Sequence, residues 1–288
     1  MYAITGITGK VGGQVARALL SAGHAVRAVV RDPNKGAAWK ALGCDIALAD
    51  MNDVAALSTA FKAATGVFVL LPPIFDPADG FPETRATVYA LRQALETASP
   101  QRVVCISTIG AQAKQLNLLT QLQLMEQSLG DLPMPIAFLR PAWFMENCAW
   151  DVAPARDTGM ISSFLQPLDK PFPMVATADI ARIAAEQLQQ EWNGRRVIEL
   201  EGPTRVTPNE IAATFARILQ HPVRAQIVPR ETWEPSFKSQ GMKHPTPRIQ
   251  MLDGFNQGWI DFEFDQASRL KGQVGLENVL RQLADRSE

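Results

Sequence analysis

The sequence predicts an α/β fold, a doubly wound parallel sheet with a smaller C-terminal region beside it. Three observations predict it. Short apolar segments alternate with segments of helical spacing from the N-terminus to about Arg140. The apolar segments are nearly continuous rather than alternating in polarity, as strands covered on both faces must be. Glycines stand where several of the helices should stop, at positions 23, 43, 66 and 130. The chain has 288 residues, 47% hydrophobic and 20% charged, with a formal net charge of −1. That balance excludes a disordered chain, and the length supports one to two domains with a core that needs neither disulfide nor metal. A near-neutral charge gives no electrostatic reason to expect nucleic acid or an anionic membrane as partner.

Each element has its own local reason. Tyr2 to Thr5 is an apolar strand ending at glycine, and Gly13 to Ser21 places Val15, Leu19 and Leu20 on one helical face. Ala25 to Val30 reads as the second strand, Asn34 to Leu42 as a short helix and Asp45 to Leu48 as the third strand. Asn52 or Asp53 can cap a helix running to Lys62. Val67 to Leu71 is the fourth strand, Glu83 to Ala98 a helix, Arg102 to Ser107 the fifth strand, Leu118 to Leu129 a helix and Ile136 to Arg140 the sixth strand. Later, Thr177 to Gln190 reads as a helix and Val197 to Leu200 as a strand. Thr207-Pro208-Asn209-Glu210 combines an N-cap, a first-turn proline and a capping-box glutamate for a helix to Leu219. Val223 to Val228 reads as a strand, and the Pro-rich stretch from Pro229 to Pro247 as a loop or lid. Residues 1–143 are expected to form the nucleotide-binding domain and 144–288 most of the smaller region, with 174–200 returning to the main sheet.

The most apolar stretch, Val67 to Phe75, is broken by Pro72 and Pro73 and is too short to span a bilayer. The N-terminus has no basic leader or cleavage region, so a cytoplasmic protein is expected. Three widely spaced cysteines, Cys44, Cys105 and Cys148, suggest neither a disulfide framework nor a metal site, and Cys105, inside a strand, should be inert.

A parallel sheet binds its ligand outside the carboxyl ends of its strands, so functional residues should follow strands, near Gly6, Arg31, Asp50, Pro72, Ser107 and Pro141. Thr5-Gly6-Ile7-Thr8-Gly9-Lys10-Val11-Gly12 joins the first strand to the first helix with G-x-x-G-x-x-G spacing. Gly6 permits a tight turn, Gly9 lets a pyrophosphate approach the backbone and Gly12 lets helix and strand pack closely. The N-terminus of the helix that follows offers free N–H groups and a positive dipole end, and Lys10 and Val11 of the loop are expected to contact the cofactor with Gly6, Thr8, Gly9 and Gly12. In this strand–loop–helix context the motif predicts a Rossmann-type dinucleotide site; no P-loop spacing occurs. Arg31, the first residue past the second strand, suits a 2′-phosphate, with Lys35 and the Thr8 hydroxyl in support. NADP(H) is therefore expected over NAD(H). Against it, Asp32 follows Arg31, although Pro33 marks Asp32 as a helix cap, and Arg31 and Lys35 also fit ordinary surface charges. Asp50 and Met51 can meet the adenine, Asp50 alternatively serving as a cap. Leu71, Pro72 and Pro73 would wall the middle of the cofactor.

These motifs, with Val29-Val30-Arg31-Asp32-Pro33, Leu139 to Asn147 and Thr177-Ala178-Asp179-Ile180-Ala181, resemble the atypical NmrA-like branch of the short-chain dehydrogenase/reductase superfamily over roughly residues 1–230. The wider superfamily's Tyr-x-x-x-Lys pair is missing. The only tyrosines are Tyr2 and Tyr89, and Leu118 to Leu129 has neither lysine nor histidine. Ordinary ketone reduction, which needs a placed acid, and sugar-nucleotide epimerisation are thereby disfavoured. The resemblance implies either an NADPH-dependent reductase of a quinone, azo compound or dye, whose delocalised product anion takes its proton from water, or an NADP(H)-binding sensor that reports to a protein partner.

For the acceptor, Ser107 matches the superfamily's catalytic serine position and Thr108 follows it; Ser107 fits a turn serine equally well. Arg140, Trp143 and Phe144 follow the sixth strand, where the two aromatics can stack a flat acceptor or simply fill core. Phe75 and Phe81, in the loop after the fourth strand, can roof the pocket. Glu146 and Asn147 are expected to be structural, Asn147 satisfying loop backbone groups. His24, His221 and His244 are assigned to structure or surface.

Overall fold

The computed structural model describes residues 1–285; the last positions of the predicted C-terminal region, 286–288, lie outside the described residues. Eight parallel strands make the main sheet, in the order β12–β10–β6–β5–β4–β1–β2–β3. They are β1 Tyr2–Ile4, β2 Val26–Val30, β3 Asp45–Leu48, β4 Gly66–Val69, β5 Arg102–Ile106, β6 Ile136–Pro141, β10 Arg195–Glu201 and β12 Leu270–Lys271. Two smaller parallel pairs stand outside it: β7 Trp143–Phe144 with β9 Met174–Val175, and β8 Met160–Ser163 with β11 Arg224–Ile227.

Helices cover both faces, so the central strands have no polar side. On one face lie α1 (Lys10–Ser21) and α7 (Thr177–Gln189), packed on each other. Val11, Val15 and Leu19 of α1 and Ile180, Ala184 and Leu188 of α7 repeat every four residues and are buried in one apolar core. On the other face α3 (Val54–Phe61), α4 (Pro82–Ala98) and α5 (Thr120–Leu129) close a second core around Phe61, Leu91, Val103 and Met125. The helix α2 (Pro33–Ala41) starts at the cap Asp32, whose carboxylate accepts the Asn34 N–H at 2.9 Å; Asp53 caps α3 likewise through Ala56. In the C-terminal region, α6 (Val152–Thr158), α8 (Pro208–Leu219), α9 (Trp233–Ser239), α10 (Thr246–Gln257) and α11 (Leu276–Asp285) extend the first core. The capping box of α8 is formed at both ends, Thr207 to Glu210 and back.

Three features depart from the sequence expectation. α1 begins at Lys10 rather than Gly13, because the glycine loop turns directly into helix. The stretch 229–247 is largely ordered helix rather than open loop: α9 and the first residues of α10 lie in it, with Trp233 and Phe237 fully buried. Two aromatics of that size in a core exclude a freely moving lid, since removing either would cost about 3–5 kcal/mol. The eighth strand, β12, is two residues long and pairs with β10; so short a run carries no sequence signature. Among the described residues no helix is long and apolar enough to cross a membrane.

Candidate functional site

The order of the sheet reverses between β1 and β4: β1 leads outward to β2 and β3, β4 to β5 and β6. The crevice at such a switch point is where an open α/β sheet takes a ligand. Thr5 stitches the two strands there, its hydroxyl donating to the Phe68 carbonyl at 3.1 Å and accepting the Leu70 N–H at 2.9 Å. Gly6 has φ +60°, and a side chain on it would meet Leu70. Gly12 lies against the same turn: a Cβ there would fall 2.4 Å from the Gly6 carbonyl oxygen, so helix and loop touch only because Gly12 lacks one. Gly9 is exposed, its Cβ position 3.2 Å from that carbonyl and otherwise open. As the N-cap of α1 it has no side chain to cap the helix, and no acid lies in the first turn. The N-terminus of α1, with Lys10 exposed and the side chain of Val11 buried, thus presents bare N–H donors where an anion could sit.

Beside the loop a cavity of about 370 Å³ is lined by Ile7, Thr8, Gly9, Arg17, Lys35 and Trp39 among others. Arg17 lies over the Trp39 ring at 4.9 Å, and one of its nitrogens donates to the Gly13 carbonyl. Sequence reasoning missed Arg17; its signal was its place two turns after Lys10 on the same helix face. Arg31 is exposed at the end of β2 but does not line this cavity, whereas Lys35 and Thr8 do. Asp50 is exposed and accepts the Asn52 N–H at 2.9 Å in a turn, and Met51 is 8% exposed, packed in the second core. Leu71 and Pro72, half-buried, follow β4.

On the other side of the switch point a buried charge network occupies the strand ends. Ser107 and Thr108 are both buried, and the Ser107 hydroxyl donates to Glu126 at 2.6 Å, so its proton is not directed at an acceptor carbonyl. Arg140, expected in the acceptor pocket, is 4% exposed and serves instead as the hub of this network. It grips both oxygens of Glu126 at 2.8 and 2.7 Å, donates to Glu263 at 2.6 Å and lies 3.8 Å from Glu199. Burial works against its charge, but the bonds and charges of Glu126 and Glu263 outweigh that and hold the guanidinium more firmly protonated than usual. Burial pushes the Glu199 carboxyl up, although it accepts the N–H groups of Glu263 and Phe264.

Trp143 and Phe144 are half-buried against the first core, Trp143 edge-on to Phe255 at 5.2 Å. Phe75 is 63% exposed in the loop after β4, whereas Phe81, at the head of α4, is 3% exposed and cannot roof anything. That loop is tied down at Asp76, whose carboxylate accepts the N–H groups of Lys243 and His244 at 2.8 and 2.7 Å. Glu146, not Asn147, is the structural residue of its pair: its carboxylate accepts the Thr177 N–H and hydroxyl and so caps α7. No tyrosine or lysine lies on α5, whose polar side chains are Gln121, Gln123, Glu126 and their neighbours. Burial pushes the Cys105 and Cys148 thiols up.

A family model described as the NmrA-like family matches residues 2–243. Among individual proteins, the NAD(P)H azoreductase of Xenophilus azovorans is 27% identical over 244 residues, covering 84% of this chain and 82% of its own length. Quinone oxidoreductase 2 of Escherichia coli is 26% identical over 281 residues, covering 96% and 94%. Among solved structures, an NADPH-dependent quinone oxidoreductase from Escherichia coli complexed with NADPH has a TM-score of 0.82 at 22% identity, with both chains fully covered. The triphenylmethane reductase of a Citrobacter species has a TM-score of 0.80 at 19% identity, with 99% of each chain covered.

Proposed function

The chain belongs to the NmrA-like family, and from that premise we propose that it is an NADP(H)-dependent reductase of conjugated acceptors: quinones, azo compounds or related dyes. One observation carries the reading. The chain keeps the glycine loop and bare helix end of a dinucleotide site but has no phenol or lysine on α5, and its Ser107 proton is engaged by Glu126. Without a placed acid, a simple ketone's alkoxide is left unprotonated, whereas the anion from a conjugated acceptor is delocalised and can take its proton from water. The azoreductase, the quinone oxidoreductase and the triphenylmethane reductase to which the chain is similar are each named for acceptors of this kind.

The residues present fit the cofactor. The loop from Gly6 to Gly12 would cradle its pyrophosphate, with the first N–H groups of α1 as donors. Thr8, Arg17 and Lys35, which line the cavity, would hold the 2′-phosphate that separates NADP(H) from NAD(H), and Arg31, exposed at the end of β2, would add a further charge. When bound, the nicotinamide supplies the hydride. Leu71 and Pro72 would wall the middle of the cofactor, and Phe75, Trp143 and Phe144 offer aromatic faces for a flat acceptor. Ser107 and Arg140 act as positioning residues: with Glu126 they fix the ends of β5 and β6, on which that side of the site is built.

The test is loss of the reduced-nicotinamide absorbance with NADPH or NADH against a simple quinone and an azo dye. Acceptor-dependent oxidation, faster with NADPH, is the expected result. Arg17→Ala and Lys35→Ala should each weaken NADPH roughly tenfold or more, as loss of a charge-assisted contact does, and leave NADH unchanged. Equal weakening of both nucleotides would remove these residues from the 2′-phosphate, and a flat trace with every acceptor would refute the reductase reading.

A further inference from the structure

Six arginines lie over aromatic rings among the described residues: Arg17, Arg195, Arg196, Arg230, Arg248 and Arg269. Five of them also donate to an oxygen. Arg17 reaches the Gly13 carbonyl, Arg195 reaches Glu126, Arg196 reaches Gln187, Arg230 reaches Asp253 and Arg269 reaches the Phe264 carbonyl. Arg248 is the exception. Its guanidinium sits 4.4 Å from the centre of the Phe237 ring, and its hydrogen bond is to the thioether of Met242, at 3.7 Å. A ring face and a sulfur are weak partners for five N–H donors. The group is nevertheless partly buried, and burial lowers its hold on its proton. A partly desolvated cation without a counter-ion is costly, and among the described residues the fold keeps one here while neutralising Arg230, seven residues before Phe237, with a bidentate carboxylate.

The backbone bonds of its neighbours place Arg248 in the fold. Arg248 stands in the first turn of α10, at the end of a segment, 242–248, that is bonded to both loops bordering the crevice beyond β4 and β5. The loop after β4 reaches it through Asp76 and the N–H groups of Lys243 and His244. The segment after β5 reaches it through the Leu118 N–H on the Pro247 carbonyl, at 2.8 Å. Gln121 ties those two loops together at the Ile74 carbonyl. These are the walls of the end of the crevice assigned to the acceptor.

We propose that Arg248 is an anion receptor at the acceptor end of the site and selects conjugated acceptors that carry a carboxylate, sulfonate or phosphate group. The proposal rests on the reductase reading for the location of the acceptor. An anionic group would give the guanidinium the oxygen acceptors it lacks, while the buried Phe237 ring beneath holds the guanidinium in place.

The experiment compares two probes of one shape: naphthalene-2-sulfonate and its uncharged sulfonamide, titrated by calorimetry into the NADP⁺-loaded protein. Wild type should bind the sulfonate at least tenfold more tightly. Arg248→Met keeps the packing on Phe237 and should lose about tenfold to a hundredfold of sulfonate affinity, the worth of a charge-assisted hydrogen bond, with the sulfonamide unchanged. Arg248→Lys should recover part of the preference. No sulfonate preference in wild type would overturn the proposal whether or not any variant folds; so would a parallel loss of both probes in a folded Arg248→Met. The reductase reading is judged separately, by NADPH oxidation with the uncharged 2-methyl-1,4-naphthoquinone. Turnover there without sulfonate selectivity refutes the anion receptor alone. Selectivity without turnover of any acceptor refutes the reductase reading and retains the receptor.

Discussion

Replacing Arg140 by methionine distinguishes a pocket arginine from a structural one. In the structure Arg140 makes three short charge-assisted bonds, two to Glu126 and one to Glu263. Methionine would fill most of the stem's volume and supply none of them. Glu263 is about half exposed and regains water, and Glu199 keeps two backbone N–H donors. Glu126 is the stranded group: its carboxylate is 4% exposed and would retain the Ser107 hydroxyl and, at 3.5 Å, the half-exposed Arg195. Removing one partner of a buried pair costs about 3–5 kcal/mol. A chain of this length unfolds with an entropy of about 0.6 kcal/mol/K near its midpoint, so Arg140→Met should melt about 5–8 °C below wild type in scanning calorimetry. Adding Glu126→Leu removes the stranded charge, so the double variant should be more stable than Arg140→Met alone, a coupling of about 1–3 kcal/mol. If Arg140 instead met the acceptor, the single variant would keep its melting temperature and raise KM. That result, or additive losses in the double variant, would refute the network argument.

Three further outcomes are expected. Gly9→Val should lose NADPH binding in a calorimetric titration while melting within about 2 °C of wild type, because its Cβ position is open except toward one carbonyl. Gly12→Ala, whose Cβ would fall 2.4 Å from the Gly6 carbonyl oxygen, should lose both binding and stability. Asp151 is raised to about 7 by burial. Its folded-state pKa lies above the unfolded value, so wild type loses stability as pH rises from about 4 to about 7, by up to about 1.4 kcal/mol per pH unit. Asp151→Asn should therefore melt higher than wild type at pH 8 and match it at pH 4, as read by thermal unfolding at the two pH values.

The main sheet was legible because its signals are local. Strands such as Val67 to Val69 are apolar on both faces, helices such as α3 and α8 announce their caps, and Gly23, Gly43 and Gly130 stand at the ends of α1, α2 and α5, whereas Gly66, expected to stop α3, opens β4 and α3 ends at Phe61. What was not legible depends on partners far along the chain. Nothing near Leu270-Lys271 marks a strand; it pairs because β10 presents an open edge after folding. The Pro-rich stretch from Pro229 to Pro247 reads as loop by composition, yet Trp233 and Phe237 anchor it as α9 by packing on Phe164, a contact some seventy residues distant.

The same distinction explains the two sides of the site. The glycine loop contacts itself, Gly6 against Gly12, and its spacing therefore carries its geometry. The strand-end positions Ser107 and Arg140 carry only a location, outside the carboxyl ends of β5 and β6. Their occupation is decided by Glu126 and by Glu263, the latter 123 residues beyond Arg140. One sequence signal did exist: Glu126 stands four residues after Leu122 and three before Leu129, on the apolar stripe of α5. A carboxylate on such a stripe must be paired, and the nearest strand ends hold an arginine and a serine able to pair it. The argument extends to Arg248. A charged residue whose surroundings are apolar is expected to have a counter-ion, and where the fold provides Arg140 and Glu126 with each other it provides Arg248 with none among the described residues. On the proposed reductase reading, that counter-ion is what an anionic acceptor would supply.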